Sequence, residues 1–169
     1  MTETGTTDRS VFIWVCEGTW RASVDAALSL APAEARFTLL HVTAAAADTA
    51  RGAYLGLLGR SGHDPGARVD ELGAASGADL LEAAARRLGR RSERLEIHGP
   101  PERAVVAASS RADLLIVARD GDRSRLGPRS LGKATRFVVD HAACPVLLVW
   151  PESPPGIGTI PPPPPGRQD

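Results

Sequence analysis

The run Leu114-Leu115-Ile116-Val117-Ala118 is apolar without interruption. It is followed by a basic, glycine-bearing loop, a helical pattern and a second apolar run from Val146 to Trp150. A strand that is apolar on both faces must be covered on both faces, the situation of a strand inside a parallel sheet with helices above and below. The same strand and helix alternation recurs upstream. Val11 to Cys16 reads as a strand, Arg21 to Leu30 as a helix with Ala22, Ala26, Ala27 and Leu30 on one side, and Phe37 to Val42 as a second strand. Ala78 to Leu88 reads as a helix that buries Leu80, Leu81, Ala84, Ala85 and Leu88, Arg94 to His98 as a third strand, and Glu102 to Ser110 as a helix. Such alternation predicts an α/β fold, a doubly wound parallel sheet joined by right-handed crossovers.

One crossover, from Thr43 to Gly77, is long and carries Gly52, Gly56, Gly59, Gly62, Gly66, Gly73 and Gly77, so its order stays open; Tyr54, Leu55, Leu57 and Leu58 form at most an amphipathic turn or two. The chain of 169 residues suffices for one core, placed at residues 11–150. Residues 1–10 are polar and expected to be disordered. The Pro-rich stretch 151–169 is expected to be extended or disordered, a solvated tail before it is a ligand for a partner that reads polyproline helix. With no apolar leader and no membrane-length run, a cytoplasmic location and no membrane partner are expected.

Charge is the sharper signal. Arg119, Arg123, Arg125, Arg129, Lys133 and Arg136 stand against Asp120 and Asp122, a net of +4 in a chain whose total is zero. So local an excess favours a discrete anion site over nucleic-acid binding. A helix starting at Ser130 as N-cap and ending near His141 would point its amides and the positive end of its dipole at this loop. The segment GPRSLGKA, Gly127 to Ala134, approaches a phosphate-binding P-loop, but Ala134 lacks the magnesium-binding hydroxyl and eight residues separate Ala118 from Gly127.

Cys144, Pro145 and Val146 complete the run His141-Ala142-Ala143-Cys144-Pro145-Val146. Together with Gly132 nine residues before His141, the Glu17-Gly18-Thr19 turn, Leu39-Leu40-His41-Val42 and Gly99-Pro100-Pro101, this run resembles the universal stress protein family from about Val11 to Trp150. The resemblance implies a five-stranded sheet of order 3-2-1-4-5 with helices on both faces. It implies an adenine nucleotide, ATP or AMP, held after strand four by a G-x2-G-x9-G-[ST] pattern, with magnesium only as the nucleotide's own ion. Carried over residue by residue, the resemblance gives Glu17 at the nucleoside and Gly121, Gly132 and Lys133 at the phosphates; the rest of the first-strand turn, Gly18 and Thr19, is added at the nucleoside and Arg129 of the basic loop at the phosphates. The sequence departs from the pattern where it matters: Ala118 stands at the first glycine, Gly121 is one residue out of spacing, and Lys133 replaces the hydroxyl.

The order also leaves strand five, Val146 to Trp150, as an apolar edge, so a homodimer through it is expected, while Arg94 and Glu96 would protect the other edge. Cys16 and Cys144 fall at opposite ends of a parallel sheet, about 15 Å apart and beyond disulfide reach. The histidines His41, His63, His98 and His141 lack ligand spacing, and His141 is read as a packed core residue. Trp14 and Trp150 are read as core or interface, and Trp20 as a cap on the sheet before a stacking partner for a base. No catalytic set is legible, so the chain is not expected to be an enzyme beyond a weak ATPase at most. Two readings remain: a stress-response regulatory module that binds an adenine nucleotide, and a dimeric interaction scaffold of the same fold that binds none.

Overall fold

In the first strand, β1 (Ser10–Trp14), every second residue belongs to one of two cores. Val11 and Ile13 pack on one face, Phe12 and Trp14 on the other. The computed structural model describes residues 9–44 and 65–162. Within them β1 pairs in parallel with β2 (Arg36–Thr43) and with β4 (Leu114–Ala118). β2 pairs with β3 (Ser92–His98) and β4 with β5 (Val146–Val149), giving the order β3-β2-β1-β4-β5. α1 (Trp20–Leu30) and α2 (Pro65–Leu88) cover the Ile13 face, where Val24, Ala27, Leu81 and Ala84 meet Leu39 and Ile116. α3 (Pro101–Ser109) and α4 (Lys133–His141) cover the other, where Val105 and Val138 meet Leu40, Leu115 and Val117. Each fully buried Leu, Ile or Val contributes about 1.5–3 kcal/mol relative to exposure, so the two cores hold the layers together without many aromatics.

The expected strand order is found. α2 starts at Pro65, whereas the sequence suggested a helix only from Ala78. Its glycines read as breaks, but Gly77 serves packing: a Cβ there would strike the Glu96 carboxylate and lie 2.8 Å from His41 Cδ2. The turn suggested at Tyr54 to Leu58 lies outside the described residues, as do residues 1–8; Ser10, expected in a disordered end, opens β1. Across Pro151 to Pro162 the tail is not simply extended. It contains a 3-10 turn at Ile157–Thr159, Glu152 pairs with Arg123 at 3.2 Å, and the Thr159 hydroxyl accepts the Leu126 N–H at 3.0 Å, tying the tail to the loop after β4.

Candidate functional site

Strand order reverses between β1 and β4, and open α/β sheets seat ligands in the crevice this leaves at the carboxyl ends of the strands. Here β1 runs out through Val15 and Cys16 into the turn Glu17-Gly18-Thr19, where Gly18 has φ +76°, a conformation that suits glycine. Glu17 is exposed and Thr19 half-buried at the N-cap of α1. Beside this turn lies a cleft of about 530 Å³ between α1 and α2, lined by Glu17, Trp20, Arg21, His41, Thr43 and Asp79 among others. Trp20 is buried in the core rather than free to stack, with the Arg21 guanidinium 4.8 Å from its ring centroid. His41 is fixed from β2: its Nδ1 lies 2.8 Å from the Val15 carbonyl, which can only accept, so Nδ1 carries the proton. Thr43 donates to Glu96 at 3.2 Å on the same side.

On the other side of the crevice the loop after β4 closes on itself. Gly121 N donates to Ser130 O at 2.9 Å and Asp122 N to Arg129 O at 2.8 Å, a short ladder linking the two ends of the loop. Gly121 is needed for it, since a Cβ would meet the Arg129 carbonyl oxygen and sit 2.8 Å from Leu131 C. Ser130, expected to cap the helix, instead lies buried in a 3-10 turn, Pro128–Ser130, because its hydroxyl donates to Gly127 O at 2.7 Å and accepts from Arg119. The helix α4 begins three residues later with Gly132 at the N-cap. The Gly132 N–H donates to Asp120 Oδ1 at 2.7 Å. A carboxylate of the chain's own thus lies where helix dipole and open amides would receive a phosphate.

The cations, expected to converge on one anion, mostly serve the loop itself. Arg119 stacks over Trp150 at 4.6 Å and bonds Ser130, Arg123 pairs with Glu152, Arg125 pairs with Asp122 at 3.3 Å, and Arg136 donates to the Pro128 carbonyl. Asp122 is held below the usual carboxylate range by the Ser124 hydroxyl and amide, with Arg125 and Arg129 adding to the effect. Arg129 and Lys133 are exposed, and Lys133 has no hydrogen bond or ion pair among the described residues. Gly121 and Gly132 are therefore brought together with Asp120, while Glu17, Gly18 and Thr19 stand across the crevice at the end of β1.

Burial pushes the Cys16 thiol up to about 12, and the negative charge of Asp120 adds to the rise. Cys144 is likewise raised, chiefly by burial, and both cysteines are free. His141 is exposed, not packed in the core. It stacks on Phe137 with ring centroids 4.1 Å apart and an Nδ1 contact of 2.9 Å to the Phe137 carbonyl, which draws the ring along the helix surface. Among the described residues no group of three or more His, Cys, Asp or Glu could hold a metal ion, and no helix is long and apolar enough to cross a membrane. In the sequence Asp120 counts only against the charge of the loop, and its bond to the Gly132 N–H is not legible there. The eleven residues between Asp120 and Gly132 carry no local spacing signal, and only closure of the loop brings the two together.

The pattern of the universal stress protein family matches residues 20–149. The chain belongs to the universal stress protein family. Among curated proteins none matches it. Several solved structures are similar. Universal stress protein UspA from Lactobacillus plantarum has a TM-score of 0.61 at 19% identity, over 84% of this chain and 97% of that one. A universal stress protein in complex with cAMP has a TM-score of 0.58 at 21% identity, over 85% and 98%. The hypothetical protein MJ0577 has a TM-score of 0.64 at 15% identity, over 85% and 96%. At these identities the likeness establishes the fold.

Proposed function

We propose that this universal stress protein works as a regulatory scaffold in the cytoplasm, paired with a second copy of itself through the β5 edge, and holds no nucleotide by its phosphates. The observation that carries this reading is the Asp120 carboxylate on the Gly132 amide. A phosphate at the N-terminus of α4 would meet that carboxylate, and the neighbouring amides of Gly121, Asp122 and Leu131 are already spent on Ser130, Arg129 and Pro128 carbonyls. Two like unit charges about 4 Å apart repel by about 1 kcal/mol in bulk water and about 4 kcal/mol near a protein surface. That weakens phosphate binding by a factor of roughly five to one thousand. The β5 residues are half-buried and the strand has a neighbour on one side only, which supports pairing there. Isothermal titration with Mg-ATP should give no heat at millimolar nucleotide; a saturable heat overturns the reading. Light scattering after size exclusion should give a dimer, and a monomer at micromolar concentration removes the pairing.

A second reading is favoured by the cleft of about 530 Å³ beside Glu17, Trp20 and Arg21. It keeps an adenine nucleotide there, with Glu17, Gly18 and Thr19 at the nucleoside and Gly121, Arg129, Gly132 and Lys133 toward the phosphate. A similar structure is a universal stress protein in complex with cAMP, and a compact adenine nucleotide of that kind suits the space. A nucleotide released on denaturing the purified protein would favour this reading. ATP left intact after long incubation with magnesium would exclude an ATPase.

A further inference from the structure

At Pro151, which has no N–H to offer the ladder, the chain leaves β5 and continues beside the loop after β4. The register makes this a short step. Val149 lies opposite Ala118, and the Arg119 N–H donates to the Val149 carbonyl at 2.9 Å, so tail and loop start side by side. They stay in step. The Arg119 guanidinium lies over the Trp150 ring at 4.6 Å, Arg123 pairs with Glu152 at 3.2 Å, and the Leu126 N–H donates to the Thr159 hydroxyl at 3.0 Å. Thr159 is held for this by its own turn, since the same hydroxyl donates to the Gly156 carbonyl at 2.7 Å. Its proton goes to the tail and its lone pair to the loop.

This arm of the loop has few other holds. Among the described residues the side chains of Ser124 and Arg125 reach only Asp122, close by in sequence, and that of Arg123 only Glu152. Directly after Leu126 comes Gly127, whose φ of +111° sets the turn and whose carbonyl accepts both the N–H and the hydroxyl of Ser130. The Ser130 carbonyl in turn accepts the Gly121 N–H, and the Arg129 carbonyl the Asp122 N–H. The tail therefore grips the loop one residue ahead of the turn on which its closure depends. That grip is light. Arg123 and Glu152 are exposed, and an exposed ion pair contributes little. Ile157 and Ile160 stand 80% and 55% exposed, so these side chains do not fasten the tail by burial. Contacts of this kind let go without disturbing either core.

We propose that residues 151–160 are an autoinhibitory strap. Docked, they keep the loop after β4 closed and its amides spent on the chain's own carbonyls; undocked, they let the loop open and offer those amides to an anion. The proposal rests on the reading that the closed loop keeps phosphate away, and it names what controls the closure. An anion needs the Gly121 and Asp122 N–H groups free, so its apparent affinity scales with the open fraction. The experiment compares the full chain with a Glu152→Gln/Thr159→Val double variant by amide hydrogen exchange and by amide shifts on titration with inorganic phosphate. Gly121, Asp122 and Leu126 should exchange about tenfold faster in the variant, while the Val15 N–H, bonded to the Leu40 carbonyl at the end of β1, keeps its rate. Phosphate should shift the Gly121 and Asp122 amides about tenfold more per unit of concentration in the variant, since both measurements read the same open fraction. Ser153→Ala, on a tail residue with no bond among the described residues, should match the parent in both. Tight phosphate binding by the parent counts against the function proposed above, whereas the strap is judged on the ratio of variant to parent. Four results overturn the strap: unchanged exchange, faster exchange at Leu126 alone, faster exchange that extends to Val15, or an unchanged response to phosphate in a variant whose loop exchanges faster.

Discussion

Replacing Asp120 by Ala removes the carboxylate that accepts the N–H of Gly132, the N-cap residue of α4, at 2.7 Å. Loss of a capping side chain costs about 1 kcal/mol, and the removed charge also stood at the positive end of the helix dipole. Asp120 is exposed, so water recovers part of the loss and the total should stay near 1 kcal/mol. For a domain of this length that lowers Tm by about 2–4 °C. The same substitution frees the amide and removes the like charge, so added sulfate or Mg-ATP should restore the lost stability in the variant while leaving the parent unmoved. The Cys16 thiol should also deprotonate more readily, because Asp120 contributes to its raised value. Thermal unfolding of both proteins, with and without anion, measures all of this except the thiol. An unchanged Tm in the variant would refute the capping argument. Equal stabilisation of parent and variant by Mg-ATP would refute the claim that the carboxylate keeps phosphate out.

Gly121→Ala should destabilise by about 1–3 kcal/mol, read by urea unfolding, because its methyl would strike the backbone carbonyl of Arg129 rather than a side chain that can swing away. Ser109→Ala should cost about 1–3 kcal/mol in the same assay, since the buried hydroxyl accepts the Ala143 N–H at 2.9 Å and nothing else is placed to do so. The Arg87 guanidinium bonds Asp25 through two nitrogens and holds its carboxyl below the usual range, so this pair stabilises fully above the unfolded value near 3.9, a contribution lost as pH falls through the lowered folded value. Asp25→Asn should therefore flatten Tm against pH in that acid window, and identical profiles would contradict it. With Cys16 raised to about 12, a disulfide reagent at mildly alkaline pH should leave it unmodified in the native protein and label it only on unfolding.

Local pattern was enough to read the layered α/β body, because period-two and period-3.6 burial is written into neighbouring residues: Val11, Ile13 and Val15 on one face and Phe12 and Trp14 on the other. The resemblance in the His141 to Val146 run added the strand order. Helix ends were less legible. Gly77 reads as a breaker until His41 and Glu96 are seen pressed against it, and Ser130 reads as a cap until its hydroxyl is found turned to Gly127. The charge of the loop after β4 was plain in the sequence, but its purpose was not. Whether the six cations face a ligand or partners within the chain depends on contacts such as Arg123 with Glu152 and Arg119 with Trp150, between residues many positions apart. Composition and periodicity thus determined what had to be buried. Only the folded chain decided that Asp120, twelve residues from Gly132, would reach the end of α4 first, because that encounter is set by how the loop closes in space.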